Sequence, residues 1–191
     1  MKLALPPQFV LFDTEYTAWE GSMERKWSNP GEYREVIQFG AVKMNLETLV
    51  EECAFSMLVR PVKNPELSAY ITTLTGITQE DVDTKGVPLA QAMSGFAEFI
   101  GELTVFSYGH DAAIVEENCR LIGIPYPFKH EQFLDIRPVI DPLLEELGID
   151  PTPYTSGTLI QAFNTAPGAR AHDAVNDMRN LLDVLRELRA R

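Results

Sequence analysis

The stretch QFVLFDTEY, residues 8–16, limits the fold more than any other part of the chain. Its continuous apolar run, Phe9 to Phe12, has the pattern of a β-strand buried on both faces. Two carboxylates, Asp13 and Glu15, follow at once. Side chains at i and i+2 of a strand share a face, so these two acids sit side by side. Like charges that close repel and raise at least one pKa. Something must compensate them.

The rest of the chain supplies partners for that strand. EVIQFGAVKMN (35–45) and VEECAFSMLVRP (50–61) read as strands joined by a short connection, which predicts an antiparallel meander. Between the first two strands, AWEGSMERKWSNPGEY (18–33) is a long polar loop carrying Trp19 and Trp27, and loops of that length are often functional. NPELSAYITTLTGITQEDVD (64–83) predicts a short helix ending near Gly76 and a second helical start. In 88–101, Pro88 suits a first turn, Leu89, Ala92, Met93, Phe96, Phe99 and Ile100 make one face, and Gly101 ends the helix. A short strand (104–109), a helix (111–123) stopped by Gly123, and a strand (132–137) follow. Further helices are predicted near 138–147, 156–163 and 173–189.

Three strands followed by alternating helix and strand point to an α/β fold with a mixed five-stranded sheet, a meander plus parallel strands, flanked by helices. At 191 residues the chain reads as one domain, 1–191, burying roughly two thirds of its unfolded surface. The strand at 104–109 returns through a crossover helix, so it can lie parallel to the first strand with right-handed connection. The crevice at the C-terminal ends of that pair is the default site. Asp13 and Glu15 end one strand, and Asp111 closely follows the other.

A fourth acid comes from the last helix. Asp177 falls on the stripe Ala174, Asp177, Leu181, Val184, Leu188, and a carboxylate on an apolar stripe is costly unless paired or metal-bound. Asp13, Glu15, Asp111 and Asp177 make an all-oxygen set suited to Mg²⁺ or Mn²⁺. Two such cations ~3.5–4 Å apart can activate water and stabilise a leaving oxygen in phosphodiester hydrolysis. They would also answer the repulsion between Asp13 and Glu15. His172 precedes Asp177 by five residues, about 140° around a helix, so the two share no face. From the segment leading into the helix, a neutral imidazole can still reach the metals and take a proton from bound water.

Charge narrows the partners. Twenty-eight acidic against 16 basic residues give −12, which counts against an extended grip on a nucleic-acid backbone. It leaves open a small site where cations reverse the local field. Cys53 and Cys119 form no CxxC and are expected to be buried and reduced. No apolar run approaches the ~18 residues of a spanning helix. MKLALPPQ is a short apolar stretch cut off by two prolines, so no secretory signal is expected and a cytoplasmic location is.

DTEYT, the strand leading to YGHD, and HDAVND, an H-x4-D pattern, resemble the three motifs of the DEDDh 3′→5′ exonucleases, whose fold is ribonuclease-H-like. EVIQFGAV, VRPVKNPELSAYITTLTGIT, FLDIRP and AHDAVNDMRNLL are similar to the enhanced-RNAi-type, or histone-mRNA 3′ exonuclease, branch, over about Phe9 to Leu182. The resemblance implies roles. Asp13 bridges both metals, Glu15 and Asp177 hold the metal carrying the nucleophilic water, Asp111 supports the second metal, and His172 is the general base. It also implies that the backbone around Thr14 and Tyr16, and Leu74, Gly76 and Ile77 of LTGI, hold the terminal nucleotide. Relatives often read DFEAT, so Thr14 and Tyr16 replace a Phe and an Ala.

The expected activity is release of nucleoside 5′-monophosphates from the 3′ ends of single-stranded RNA or short overhangs. A DNA 3′→5′ exonuclease of the proofreading or repair kind and a catalytically silent nucleic-acid-binding module are the alternatives. Other residues have plainer readings. Asp111 can cap its helix, and Asp173 suits a helix N-terminus. His110 and His130 read as structural or solvent-facing. Trp19 and Trp27 can stack on bases or cover the sheet edge. Arg179, Arg186, Arg189 and Arg191 read as a solvated helix face or a weak backbone-binding strip. Glu35 recurs in the resemblance without a chemical role.

Overall fold

The computed structural model describes residues 1–168 and 170–191. Five strands, β1 (Gln8–Tyr16), β2 (Val36–Asn45), β3 (Val50–Leu58), β4 (Val105–Ser107) and β5 (Phe133–Asp135), form one mixed sheet in the order β3-β2-β1-β4-β5. β1 runs antiparallel to β2 and parallel to β4, and β4 runs parallel to β5. β1 is therefore the central strand, where its continuous apolar run belongs. Phe9 and Leu11 face the core under α5 (Arg137–Glu146) and α6 (Ala174–Ala190). Val10 and Phe12 face the core with α3 (Leu89–Ile100) and α4 (Asp111–Ile122). Phe12 stacks on Phe96 of α3 at 4.7 Å between ring centres. Fully burying one such side chain stabilises by about 1.5–3 kcal/mol.

Two short helices, α1 (Ala69–Thr75) and α2 (Gln79–Lys85), connect β3 to α3. Ser68 caps α1 and Gly76 ends it in a left-handed conformation, while Thr78 and Asp81 form a capping box on α2. The segment expected to be helical at 156–163 carries only a 3₁₀ turn, Leu159–Phe163. Leu159 and Ile160 are its buried anchors, and Asn164 leaves the turn in a left-handed conformation. Two anchors hold one turn, not a helix with a repeating face.

Several plain readings need correction. Cys119 is buried with its Sγ 3.4 Å from Met93 Sδ, but Cys53 is exposed, because β3 is the edge strand; both are free thiols. The arginines of α6 form no unengaged strip. Arg179 forks onto Glu51, Arg186 donates to the Leu49 carbonyl, and Arg189 donates to the carbonyls of Leu46 and Glu47. They tie α6 to the β2–β3 connection. No helix among the described residues is long and apolar enough to cross a membrane.

Glu35, which had no role in the sequence, is 3% exposed just before β2. Its carboxylate accepts the backbone N–H groups of Val62, Lys63 and Asn64 at 2.5–2.9 Å. One buried charge thus satisfies three consecutive amides and holds the chain as it leaves β3. Glu35→Ala removes all of these bonds, and a hydrogen bond to a carboxylate is worth about 1.5–3 kcal/mol. We expect Glu35→Ala to melt roughly 6 °C or more below the parent in calorimetry, since ~1 kcal/mol moves a chain of this size by about 2–4 °C.

Candidate active site

Four carboxylates from three separate parts of the chain meet where the parallel strands end. Asp13 and Glu15 come from the end of β1, Asp111 opens α4 directly after β4, and Asp177 lies in the first turn of α6. All four line one cleft of about 520 Å³ and are only 3–9% exposed. Asp111 does not cap its helix, for the N-cap position is His110. Its Oδ1 instead accepts the Thr14 amide at 3.2 Å and the Thr14 hydroxyl at 2.7 Å. The residue between the two strand acids therefore clasps the third.

Two glycines let the last helix join. Gly40 pairs with Asp13 across β1 and β2, and a Cβ there would overlap the backbone of Ala174 and Val175. The start of α6 thus lies directly on the sheet. A Cβ on Gly157 would likewise overlap the Asp177 carboxylate. Asp173 is the α6 N-cap, accepting from the Asn176 amide at 3.0 Å, and its other oxygen accepts from Gln38.

His172 sits at the turn into α6 in a left-handed conformation, φ 63°, uncommon for a residue other than glycine and typical of functional sites. Its amide donates to Asp177 Oδ1 at 3.0 Å. Glu15, His172 and Asp177 each offer a ligand atom, and the three atoms lie within 4.8 Å of one another. Asp13 and Asp111 line the same cleft.

The electrostatics are those of a cation site. Burial, then repulsion from Asp111, Glu15 and Asp177, holds the Asp13 carboxyl well above its usual range. Burial and the charges of Asp177 and Asp111 push Glu15 up to about 9. Burial raises Asp177 to about 7 against the His172 amide, and Asp111 to about 6 against the two Thr14 donors. No salt bridge among the described residues reaches any of the four. An all-oxygen, uncompensated set of this kind fits hard divalent cations. Burial and the nearby Arg170 charge lower the His172 pKa, so its ring is neutral near pH 7.

The structure divides the expected nucleotide-binding positions. Thr14, Tyr16 and Leu74 line the cleft, whereas Gly76 and Ile77 border a separate depression of about 360 Å³ with Arg170, and Ile77 is largely buried in the core. Arg170 donates to the carbonyls of Thr73 and Leu74, tying the segment before His172 to the end of α1. Trp19 and Trp27 both line the cleft; Trp27 also packs edge-on against Tyr16 and donates to the Thr17 carbonyl. His110 borders the cleft, while His130 stacks on Tyr126 outside it. No sequence motif points to Tyr154, Thr155 and Ser156, which line the same cleft as Asp177. For Gly157 its smallness was the one available signal.

The sequence profile of the exonuclease family matches residues 10–185. The chain is similar to the 3′-5′ exonuclease Snipper of Drosophila melanogaster, 39% identical over 101 residues, covering 52% of this chain and 34% of that protein. It is 32% identical to the probable 3′-5′ exonuclease KapD of Bacillus subtilis (strain 168) over 125 residues, 64% of this chain and 58% of that one. The chain thus spans less than two thirds of the length of either relative. Among solved structures, the nuclease domain of 3′hExo, a DEDDh family member bound to rAMP, superposes with a TM-score of 0.79 at 23% identity, over 99% of this chain and 95% of that one.

Carboxylates whose folded pKa is raised above the ordinary ~4 stabilise the fold below pH 4 and lose that contribution as pH rises through the folded value. For Asp111, Asp177 and Glu15 that window runs from about 4 to about 9. The metal-free protein should therefore melt lower at pH 8 than at pH 6. Mn²⁺ should raise the melting temperature more at pH 8, because it binds the deprotonated carboxylates. Asp177→Asn should raise the metal-free value at pH 8 by about 3 °C or more, the shift ~1 kcal/mol makes here, and shrink the Mn²⁺ effect. A metal response independent of pH in calorimetry would contradict this account.

Proposed function

Since this chain belongs to the exonuclease family and has the ribonuclease-H-like fold, we propose that it is a divalent-metal-dependent 3′→5′ exoribonuclease releasing nucleoside 5′-monophosphates. The observation that carries this reading is the convergence of four buried, unpaired carboxylates with His172 in one open cleft. Support for RNA comes from relatives such as ERI1 exoribonuclease 2 of Mus musculus, 38% identical over 94 residues, 49% of this chain and 13% of that protein.

Asp13, Glu15, Asp111 and Asp177 would hold two Mg²⁺ or Mn²⁺ ions. Bound there, such ions acidify water and stabilise a leaving oxygen. Thr14 keeps Asp111 aligned through two hydrogen bonds, so the cluster holds its shape against its own repulsion. His172, neutral at working pH, accepts the proton of the attacking water. The water oxygen bonds to the phosphorus joining the last two nucleotides, and the bond from that phosphorus to the 3′ oxygen of the preceding nucleotide breaks. That oxygen takes up a proton from solvent to become a hydroxyl, and the terminal nucleotide leaves as a 5′-monophosphate.

On 5′-labelled RNA and DNA of one sequence, the expected result with Mn²⁺ or Mg²⁺ is a ladder shortening from the 3′ end, fast on RNA, slow on DNA and absent in EDTA. An equal ladder on DNA would replace the RNA reading with a DNA one. Asp13→Asn should abolish turnover, and normal turnover in that variant would sink the assignment. His172→Ala should slow turnover by about 10²–10⁴-fold while the calorimetric response to Mn²⁺ is largely kept.

A further inference from the structure

The proposed substrate is a polyanion, yet the protein carries a net charge of −12. Among the described residues, Arg34 and Arg137 are the Arg and Lys side chains that line the cleft, and both are engaged. Arg34 bridges to Glu117 at 2.5 Å and lies over the Tyr16 and Trp27 rings, and Arg137 forks onto Asp135. Phosphate contacts alone are a meagre source of affinity in such a cleft.

The wall built by residues 19–27 and α1 is of another kind. Here Trp19, Met23, Trp27, Tyr70 and Leu74 face the cleft. Met23 is 70% exposed and Tyr70 42%, two of the six large apolar side chains that stand out from the described surface. Trp27, Trp19 and Tyr16 are half-buried, and Tyr16 directly follows Glu15 on β1. Exposure therefore rises from the acids outward to the rim.

The loop is built to keep this rim in place. Its base is closed by Thr17, whose amide donates to the Glu35 carbonyl and whose hydroxyl accepts the Glu35 amide and donates to the Tyr33 carbonyl. Arg25 forks onto Glu32 and donates to the Glu20 carbonyl. Ser22 Oγ accepts the Trp19 amide at 2.8 Å. Lys26 and Trp27 are consecutive non-glycine residues at φ 53°, a conformation that persists only where surroundings enforce it. A tied, strained loop that leaves a methionine projecting into a cleft presents an adaptable apolar contact.

We propose that Met23 and Tyr70 form a rim contact for the bases of single-stranded RNA upstream of the terminal nucleotide. The contact supplies affinity by stacking and apolar packing, without reading sequence. This inference rests on the exoribonuclease reading for the identity of the strand. Bases stack on such surfaces whatever their identity, because each has a π-face.

Both tryptophans of the chain line the cleft, so their fluorescence reports occupancy directly. In an Asp13→Asn background, oligouridylate of six nucleotides and uridine 5′-monophosphate are titrated separately while tryptophan quenching is followed. Met23→Ser with Tyr70→Ser should weaken hexamer binding about fivefold or more and leave monophosphate binding unchanged. Met23→Leu with Tyr70→Phe should restore the hexamer. Unchanged hexamer binding in the serine variant, or equal loss for both ligands, would overturn the proposal. So would a parent that binds hexamer no more tightly than monophosphate. Hexamer binding that depends on the rim, in a protein that degrades no RNA with Mn²⁺, would remove the activity reading and leave the rim contact standing.

Discussion

Mutual repulsion among Asp13, Glu15, Asp111 and Asp177 is the constraint around which the rest of the molecule is arranged. Burial makes each charge expensive, and no salt bridge among the described residues reaches any of the four. Four such groups stay together only if the backbone beneath them cannot relax. β1 is held by strands on both sides, Thr14 binds Asp111 to β1, and α6 is pressed onto Gly40. The rigidity of the central sheet is what allows an electrostatically unfavourable centre to exist before any cation arrives.

Much of this was legible because it rests on periodicity. The unbroken apolar run of β1 announces burial on both faces, and the stripe containing Asp177 announces a buried helix face. The acids were legible for a related reason, since a charge placed on such a stripe demands explanation. What stayed hidden depends on contacts between distant residues that leave no local pattern. Nothing near Glu35 suggests that three amides of the 62–64 segment will close on it. The arginines of α6 look solvated until the fold brings the β2–β3 connection beneath them. Gly40 and Gly157 matter through atoms they lack, and a sequence records only that they are small. Gly76 and Ile77 share a motif with Leu74, yet the αL turn at Gly76 carries the chain away from the cleft.

The cleft has two unlike walls, and the chain builds them differently. The β4–α4 side and residues 154–156 contribute hydroxyls, an imidazole and an arginine already held by a carboxylate. The loop between β1 and β2 contributes rings and a thioether, fixed by its own internal ion pair and by Trp27 against Tyr16 at the end of β1. Changes in that loop can therefore alter what the cleft grips without disturbing the acids. Chemistry and grip are separable on this scaffold.

The meeting of β1 with α6 has a consequence for biosynthesis. Asp13 and Glu15 are translated more than 150 residues before His172 and Asp177. A nascent chain can pair its meander while the place on Gly40 that α6 will occupy is still bare. The acidic cluster is thus completed only when a segment more than 150 residues downstream of its first members has been translated. Until then a nascent chain holds three of the four acids and neither Asp177 nor His172, so the repelling cluster arises only in the finished fold.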